Sequence, residues 1–273
     1  MDAIRACVGA PGLVEAIEAN VAEQYAYFRH APPAEVHADA DLMWYVSGIP
    51  ICVYNGVVGT RLAPDATPEA VDARVVEMVE AFAARAVPFT WWTSPTTRPA
   101  DLSTYLERHG LAYAVDLPAM AADLDTLPDG LPAPGGMAVE EVASPEALAA
   151  WGRVAGAGYG EPEEIQAARF AVHTALGLGA DRPLRRYLVR LDGEPVAMSA
   201  LFLGAGVAGV CEVATVPAVR RRGIGSVVTL APLRAARALG YQVGVLASSP
   251  MGLSVYRRLG FREYGTFALY THP

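Results

Sequence analysis

A stretch rich in proline and glycine is the feature that most constrains this chain, because it divides the sequence into two halves. It runs from Leu127 to Gly136 and reads LPDGLPAPGG. Proline and glycine at this density end helices and central strands and form semi-rigid spacers. The chain has 273 residues, enough for two domains of ordinary size. We therefore predict an N-terminal domain over residues 1–127, a linker over 128–136 and a C-terminal domain over 137–273.

Composition restricts the classes of function. The formal net charge is −8 and the acidic residues are scattered, whereas nucleic-acid binding needs a basic face. All 21 basic residues are arginine, which excludes a P-loop lysine or a Schiff-base lysine. No segment approaches the roughly 18 apolar residues that cross a bilayer, and the N-terminal residues lack an export pattern. We expect a cytoplasmic protein without nucleic-acid or membrane partners, either a monomer or a homodimer.

The cysteines and histidines do not predict a metal site. Cys7, Cys52 and Cys211 are far apart, and the five histidines are isolated from one another. Neither set shows the spacing of a zinc site or of a redox pair. We interpret the cysteines as free thiols of a reducing compartment.

The C-terminal half predicts an α+β fold. Ser144 and Pro145 have the residue types that begin a helix, and Asp192-Gly193 is a hairpin turn between two apolar segments. The predicted strands cover residues 137–142, 186–191, 195–202, 209–216, 243–248 and 261–270, and the predicted helices begin near residues 144, 162, 224 and 250. This order predicts a mixed sheet with helices packed on it.

The later part of the N-terminal half repeats this order. It predicts a helix over Pro68–Ala86, a strand over Phe89–Thr93 and a helix over Asp101–His109. From Ala83 onwards the chain has AARA, then SP, then L-x-x-Y and a glycine, and the same series follows from Ala235 with slightly different spacings. We interpret the two series as a divergent internal duplication.

A turn rich in arginine and glycine connects the predicted strand over 209–216 to the next helix. It reads RRRGIG and covers residues 220–225. The glycines allow close approach of a ligand, and the start of the helix adds unpaired N–H groups and the positive end of the dipole. The pattern is neither the dinucleotide fingerprint nor a P-loop. It predicts an anion site that fits a diphosphate, with a purely structural turn as the alternative.

Two segments resemble motifs of the GNAT (Gcn5-related N-acetyltransferase) superfamily. Residues 216–225, VPAVRRRGIG, resemble its motif A, and residues 249–261, SPMGLSVYRRLGF, are similar to its motif B. Their order and separation match the family, and the preceding strand order agrees over residues 136–273. The resemblance implies an α+β fold with a mixed, splayed sheet flanked by helices, expected here as a tandem of two GNAT-like domains with the catalytic one at the C-terminus.

The resemblance also implies where acetyl-CoA, or another acyl-CoA, binds as co-substrate. Arg220 lies at the rim of the turn, and the backbone amides implied to hold the diphosphate are those of Arg221, Arg222, Gly223, Ile224, Gly225 and Ser226. The end of the preceding strand is implied to pair with the pantetheine arm through Val213, Ala214, Thr215 and Val216. Ser249 stands where the family often has an asparagine that bonds the pantetheine, and serine shortens that reach.

Two residues are candidates for proton transfer. Tyr256 stands at the position of the family's general acid, and a phenol with a pKa of about 10 is protonated at neutral pH. Glu212 is the only acid on the strand before motif A and is the candidate base. Its spacing to Arg220 differs from that of the best-known members, so a side chain that faces solvent or pairs with an arginine is the alternative. Further candidates near the expected acceptor pocket are Tyr159, Glu161, Glu163 and His173.

The N-terminal half lacks the anion turn. The corresponding segment, Arg61–Pro68, has no paired glycines, and Asp65 would repel a phosphate. We therefore do not expect CoA to bind there. The aromatic pairs Trp91-Trp92 and Trp44-Tyr45 are compatible either with core packing or with the wall of a pocket between the halves for an apolar acceptor.

These observations predict direct acyl transfer from acyl-CoA to a small-molecule amine that the sequence does not identify, without a metal. Two alternatives remain. One is a non-catalytic module that binds acyl-CoA for regulation, and the other is a transferase of this fold whose acyl donor is carried on a protein or on tRNA.

Overall fold

The strands of both halves join in one mixed sheet. The computed structural model describes residues 12–128, 130 and 134–273, so Cys7 and residues 129 and 131–133 of the predicted linker lie outside the described residues. The N-terminal half contains α1 (Leu13–Ala26), β1 (Glu35–Ala38), β2 (Met43–Val46), β3 (Asn55–Val58), α2 (Pro68–Ala83), β4 (Phe89–Thr93), α3 (Leu102–Arg108) and β5 (Ala112–Asp123). The C-terminal half contains β6 (Met137–Glu141), α4 (Pro145–Tyr159), α5 (Glu163–Ala175), β7 (Leu184–Leu191), β8 (Glu194–Gly204), β9 (Val207–Thr215), α6 (Ile224–Ala238), β10 (Val243–Ala247), α7 (Leu253–Arg258) and β11 (Arg262–His272). The order in the sheet is β1-β2-β3-β4-β11-β5-β10-β9-β8-β7-β6.

The predicted elements of the C-terminal half are confirmed, with ends that differ by a few residues. Ser144 caps α4, since its hydroxyl accepts the N–H of Ala147 at 3.2 Å and Pro145 occupies the first turn. Asp192-Gly193 joins β7 and β8 as an antiparallel hairpin. In the N-terminal half α2, β4 and α3 are confirmed, whereas the structure adds α1, β1 to β3 and β5.

Each half ends in a strand that pairs with the other half. The last strand of the N-terminal half, β5, pairs antiparallel with β10, and the last strand of the chain, β11, pairs antiparallel with β4. These two strands also pair with each other. Since β3–β4 and β9–β10 are both parallel, the series β3-β4-β11-β5-β10-β9 has the same pattern from either end. The repeated order predicted from the sequence is confirmed, with exchanged last strands, and the domain boundaries stay a prediction.

Helices cover both faces of the sheet. On one face α1, α4 and α5 bury Ile17, Trp151 and Val172 in a core that runs across both halves. On the other face α6 packs residues such as Leu233 against β8 to β10, and α2 and α3 cover the N-terminal strands. Each large apolar side chain buried in this way contributes about 1.5–3 kcal/mol. Within the described ranges, no helix is long and apolar enough to cross a membrane.

The first helix belongs to the N-terminal half in sequence but packs on strands of the C-terminal half. Asn20, which is 2% exposed, donates from its amide to the carbonyls of Phe202 (3.3 Å) and Gly204 (3.0 Å). At Gly209 a Cβ atom would lie 2.0 Å from Asn20 Oδ1, so only glycine leaves room for this contact. Glu23 adds a bond by accepting the N–H of Ala205 at 2.8 Å. The helix is therefore fixed over β8 and β9.

Candidate active site

Strands β9 and β10 separate near the middle of the sheet. They pair only where Ala208 faces Gly244 and Gly209 faces Val245. Beyond this point β9 continues to Thr215 and β10 to Ala247 without pairing to each other. The splayed sheet that the resemblance implied is confirmed, and among the described residues the edge of β9 that faces the gap has no strand partner there.

The turn after β9 presents a series of free backbone N–H groups. Arg221 (φ +64°) and Gly223 (φ +82°) are in the left-handed region, and α6 begins at Ile224 without a side-chain cap. The N–H groups of Ser226 and Val227 bond to the carbonyl of Gly223. Within the part of the chain that the structure describes, the N–H groups of residues 221–225 have no hydrogen-bond acceptor. Their number and the positive end of the helix dipole suit an anion such as a diphosphate.

The three arginines of the turn differ in what they do. Arg220 points inward, where its guanidinium donates to the carbonyls of Thr215 (3.0 Å) and Gly158 (2.6 Å). It thereby fixes the turn to the end of α4. Arg221 and Arg222 are exposed and form no ion pair with any described residue. Their charges are therefore free to attract a phosphorylated ligand.

The corresponding position in the N-terminal half is closed. Helix α2 begins at Pro68, which has no N–H, and the hydroxyl of Thr67 accepts the N–H of Ala70 at 3.3 Å. Arg61 is engaged in an ion pair with Glu18 at 2.9 Å. The groups that would bind an anion are thus absent or already paired, which supports the expectation that this half does not bind CoA.

A cavity of about 440 Å³ lies beside the splay and between the two halves. The C-terminal half contributes a wall from β9, β10, α5 and the end of α4, including Tyr159, Glu161, Arg169, Cys211, Glu212 and Ala247. The N-terminal half contributes a wall from α1, β4 and the segment before β3, including Ile17, Tyr25, Val53, Tyr54 and Trp92. A single cavity therefore collects side chains from both halves of the chain.

A β-bulge turns Glu212 into this cavity. Glu212 has a φ of +51°, and the register between β8 and β9 shifts between Met198 and Ala200. The bulge lies at the end of the series Gly209, Val210, Cys211 and Glu212, all of which line the cavity. Opposite the bulge, the carbonyl of Ser199 accepts the indole N–H of Trp151 at 3.0 Å. This bond gives the carbonyl of Ser199 a hydrogen-bond donor at the point where the bulge interrupts the pairing of β8 with β9.

Glu212 is held by buried cationic and hydroxyl groups. Its Oε1 accepts from Arg169 Nη1 at 3.0 Å and from the Tyr54 hydroxyl. Arg169 is fully buried, also bonds the Tyr54 hydroxyl and forms a second ion pair with Glu161. Burial alone would raise the pKa of Glu212, but His173, which is protonated in the acidic range where Glu212 titrates, outweighs it together with Arg169 and Tyr54 and lowers the pKa to about 2. Glu212 therefore pairs with an arginine rather than facing solvent, and its role as the base stays a prediction.

His173 connects Glu212 to a second buried arginine. Arg186 Nε donates to His173 Nδ1 at 2.7 Å, so in the neutral ring the proton is on Nε2, which lies 3.7 Å from Glu212 Oε1. Burial lowers the pKa of His173 to about 4 and that of Arg186 to about 10. At neutral pH the histidine is therefore uncharged, while Arg169 and Arg186 balance Glu161 and Glu212.

Tyr54 is placed by a buried asparagine of its own half. Asn55 is fully buried, and its amide contacts the carbonyls of Ile49 and Ile51, both at 3.1 Å. Its Oδ1 accepts the N–H of Ser47 at 3.0 Å. These bonds order the segment before β3, so that Tyr54 reaches the carboxylate of Glu212. Arg169 and Tyr54 are the site residues that the sequence did not identify.

The two motif B candidates, Ser249 and Tyr256, both contact Gly252, which follows the end of β10. Tyr256, 8% exposed, folds its ring over Gly252, where a Cβ atom would lie 2.6 Å from Tyr256 Cε2. Burial raises the pKa of Tyr256 to about 12, so the phenol is protonated throughout the neutral range. Ser249 is exposed, and its hydroxyl accepts the N–H of Gly252 at 3.2 Å. The roles of Tyr256 and Ser249 stay predictions.

Some of the remaining candidate residues line the cavity, and the others lie elsewhere in the molecule. Trp92 lines the cavity, whereas Trp91 is fully buried in the N-terminal core and donates to the Thr60 hydroxyl at 2.9 Å. Tyr159 and Glu161 line the cavity, and Glu163 is exposed at the start of α5. No group of three or more His, Cys, Asp or Glu side chains among the described residues is arranged to hold a metal ion.

Comparisons with known proteins show what the chain is similar to. Residues 131–246 match the family described as the acetyltransferase (GNAT) domain. A solved structure described as a GCN5-related N-acetyltransferase from Kribbella flavida is 23% identical over 97% of this chain and 97% of its own, with a TM-score of 0.72. No protein of curated function matches the chain significantly.

Two further solved structures extend the similarity of fold across both halves. A GCN5-related N-acetyltransferase from Sphaerobacter thermophilus is 16% identical over 88% of this chain and 75% of its own, with a TM-score of 0.60. A tandem GNAT protein from the clavulanic acid biosynthesis pathway is 16% identical over 94% of this chain and 92% of its own, also with a TM-score of 0.60. The fold class expected from the sequence is confirmed over most of the chain.

Proposed function

Since residues 131–246 carry a GNAT acetyltransferase domain, we propose that this protein transfers an acyl group, acetyl first among the candidates, from acyl-CoA to the amine of a small molecule. The observation that carries the proposal is the series of unpaired N–H groups over residues 221–225, placed directly beside the open edge of β9. An anion site and a free strand edge side by side suit a ligand with a diphosphate and a long amide-containing arm.

The residues present fit acyl-CoA at this place. The N–H groups of residues 221–225 are unpaired among the described residues and suit the diphosphate, whereas the N–H of Ser226 is bonded to the carbonyl of Gly223. The exposed Arg221 and Arg222 add positive charge. The edge of β9 over residues 213–215 is the candidate for the pantetheine arm, whereas both backbone groups of Val216 are already bonded, to Val196 and Val219. The carbonyl of Thr215 accepts from Arg220, which supports the turn from behind. Ser249 already accepts a bond from Gly252, so its hydroxyl proton is the part that remains for the arm.

Acyl-CoA supplies an activated thioester, and the chain's own side chains are assigned the proton transfers. The amine nitrogen bonds to the thioester carbonyl carbon, the carbon–sulfur bond breaks, and the thiolate takes a proton from the hydroxyl of Tyr256. Cys211 lines the cavity, but burial raises the pKa of its thiol well above the usual range, so it stays protonated. This favours direct transfer over an acyl-cysteine step.

Glu212 remains the candidate to accept the amine proton, within limits that its environment sets. A carboxylate with a pKa of about 2 is a weak base toward an alkylammonium ion, whose pKa resembles the 10.4 of lysine. Moving a proton between these two groups before attack would cost about 11 kcal/mol. We therefore assign attack to the free amine, and assign to Glu212 the proton that the nitrogen loses once it is bonded to the carbonyl carbon, directly or through one water.

The proposal is tested by calorimetric titration of the protein with acetyl-CoA. Gly225 is the position for a variant, because its φ is not in the left-handed region and an added Cβ atom would lie 3.8 Å from Thr215 Oγ1, an ordinary contact. Gly225→Glu puts a carboxylate in the anion site, and Gly225→Ala adds the Cβ atom alone. We expect saturable binding by the wild type, binding within about threefold for Gly225→Ala and loss of at least tenfold for Gly225→Glu.

Absence of acetyl-CoA binding by the wild type would overturn the proposal. Equal binding by both variants would place the ligand elsewhere on the protein. Thermal unfolding of both variants in the absence of ligand checks that their fold is unchanged.

A further inference from the structure

The wall that the N-terminal half contributes to the cavity is mainly apolar and aromatic, with the amides of Asn20 and Gln24 as its polar part on α1. Val53 is 42% exposed and Tyr159 is 45% exposed, and both of these exposed apolar side chains line the cavity, one from each half. Behind Val53 the rings of Tyr25 and Trp92 meet edge to face, with centroids 5.8 Å apart. Apolar side chains exposed together in a concave site mark a place for an apolar ligand.

The charged groups of the cavity form one connected cluster with Tyr54. Tyr54, Arg169, Glu161 and Glu212 bond to one another, so they lie together rather than being spread over the wall. Two carboxylates and one guanidinium are the charged groups of the lining. Glu161 Oε2 is buried and has no hydrogen-bond partner among the described residues. Arg169 Nε is unpaired as well. The cluster therefore has an acceptor for an ammonium group and, among the described lining residues, one more carboxylate than guanidinium groups.

We propose that the acceptor is a primary amine that bears an apolar group of ring size and no carboxylate, with its ring against the N-terminal wall of Val53, Tyr25 and Trp92 and its nitrogen at Glu161 and Glu212. This inference rests on the proposed function, because it assigns the acceptor of the same site. Under this proposal the N-terminal half, which has no open anion turn, supplies the surface that selects the acceptor. Small polar amines would leave this apolar surface in contact with water. Amino acids would place their carboxylate beside the two acidic side chains.

Three amines that share one two-carbon unit test the proposal. They are 2-phenylethylamine, ethanolamine, in which a hydroxyl replaces the ring, and phenylalanine, which adds a carboxylate. Acetyl transfer is followed as CoA thiol release, and binding of each amine to protein preloaded with CoA is measured by calorimetry. We expect 2-phenylethylamine to exceed both others at least tenfold in kcat/KM and in affinity.

A charge in the apolar wall provides the matching variant. Val53→Arg removes apolar surface and adds a positive charge beside the expected ammonium, so 2-phenylethylamine should lose at least fivefold in affinity while acetyl-CoA affinity stays the same. The control is Leu239→Arg, the same kind of change at an apolar residue that is 51% exposed and lies outside the cavity. It should bind both ligands as the wild type does.

The outcomes separate this proposal from the one on which it rests. Equal or better use of ethanolamine or phenylalanine, or no binding of 2-phenylethylamine to the CoA-loaded protein, overturns the acceptor assignment even if acetyl-CoA binds. Unchanged amine affinity in Val53→Arg overturns the role of the N-terminal wall. Failure of the wild type to bind acetyl-CoA overturns the proposed function itself.

Discussion

Replacing Arg169 with methionine perturbs the buried charges of the cavity most directly. Arg169 is fully buried and pairs with two carboxylates, those of Glu161 and Glu212. Methionine keeps an unbranched side chain but leaves both acids without their shared cation. In the wild type Glu212 has a folded pKa of about 2, below its ordinary 4.5, so this group stabilises the fold above pH 4.5 and loses that contribution as the pH falls toward 2. Without Arg169, burial is less opposed and the pKa of Glu212 rises.

The expected loss is large because a partner of a buried ion pair is removed. Such changes cost about 3–5 kcal/mol, out of a total unfolding free energy of roughly 5–15 kcal/mol for a typical protein. At about 2–4 °C for each kcal/mol in chains of this size class, the melting temperature should fall by roughly 10 °C. The loss should be greater at pH 7 than at pH 5, since protonation relieves an unpaired buried carboxylate.

Urea unfolding at pH 7 and pH 5 measures this effect for Arg169→Met, Glu212→Gln and the double variant. Removing the charge of Glu212 as well should restore part of the stability, so the two losses should not add. A loss below about 1 kcal/mol, an equal loss at both pH values, or additive losses in the double variant would each refute the argument from buried charge.

Four further predictions concern protons and phosphate. The free energy of unfolding of the wild type should fall by up to about 3 kcal/mol between pH 6.5 and pH 4. The reason is that His173 takes up a proton in this range in the unfolded chain, while burial keeps its pKa in the folded protein at about 4. Denaturant titrations of His173→Gln should lack this fall, and an unchanged dependence on pH would contradict the prediction. Tyr256→Phe should lower kcat roughly 100-fold in stopped thiol-release assays and leave the calorimetric affinity for acetyl-CoA unchanged, whereas a full kcat would exclude Tyr256 as the acid. The rise of kcat/KM with pH should follow the pKa of the acceptor amine, since the pKa values of Glu212 and His173 are about 2 and about 4. Two amines of different basicity should give pH profiles that are displaced along the pH axis by the difference between their pKa values. A pH profile common to both amines would indicate a base on the enzyme instead. Changing Arg221 and Arg222 together to glutamine should weaken acetyl-CoA binding and flatten its salt dependence, and an unchanged salt slope would show that these side chains do not attract the ligand.

The sequence predicted the C-terminal half in detail because its signals are local. A capping serine followed by proline, a hairpin turn and a glycine-rich turn each fix the backbone over a few residues. The left-handed Gly223 at the start of α6 is where such a signal and the site coincide. The anion turn follows from these elements, whereas the splay was expected only from the resemblance to the GNAT superfamily.

The exchange of last strands has no comparable local signal. Pairing of β5 with β10 and of β11 with β4 joins segments more than 100 residues apart. The pairing partner of such a strand is determined by the packing of the whole sheet rather than by the residues of the strand itself. Helix α1 was missed for a related reason, since Asn20 and Gly209 match each other only once the two halves are packed together.

The centre of the candidate site also depended on distant contacts. Tyr54, Arg169 and Glu212 are 43 to 158 positions apart, and no spacing rule brings them together. The bulge that aims Glu212 has a positive φ at a glutamate, a residue type that does not signal this conformation. Two alternatives were therefore open for Glu212 from the sequence alone, and only the buried partners distinguish them.

Transfer of labelled acetyl from acetyl-CoA to an amine tests the central claim most directly. The protein is incubated with acetyl-CoA labelled in the acetyl group and with 2-phenylethylamine, and mass spectrometry quantifies the N-acetyl product while a thiol reagent quantifies free CoA. We expect labelled amide and free CoA to form in equal amounts, and we expect Gly225→Glu to reduce the rate of their formation strongly. Saturable binding of acetyl-CoA with no amide formed from this amine or from polar amines would contradict it and would identify the chain as a binding module without turnover.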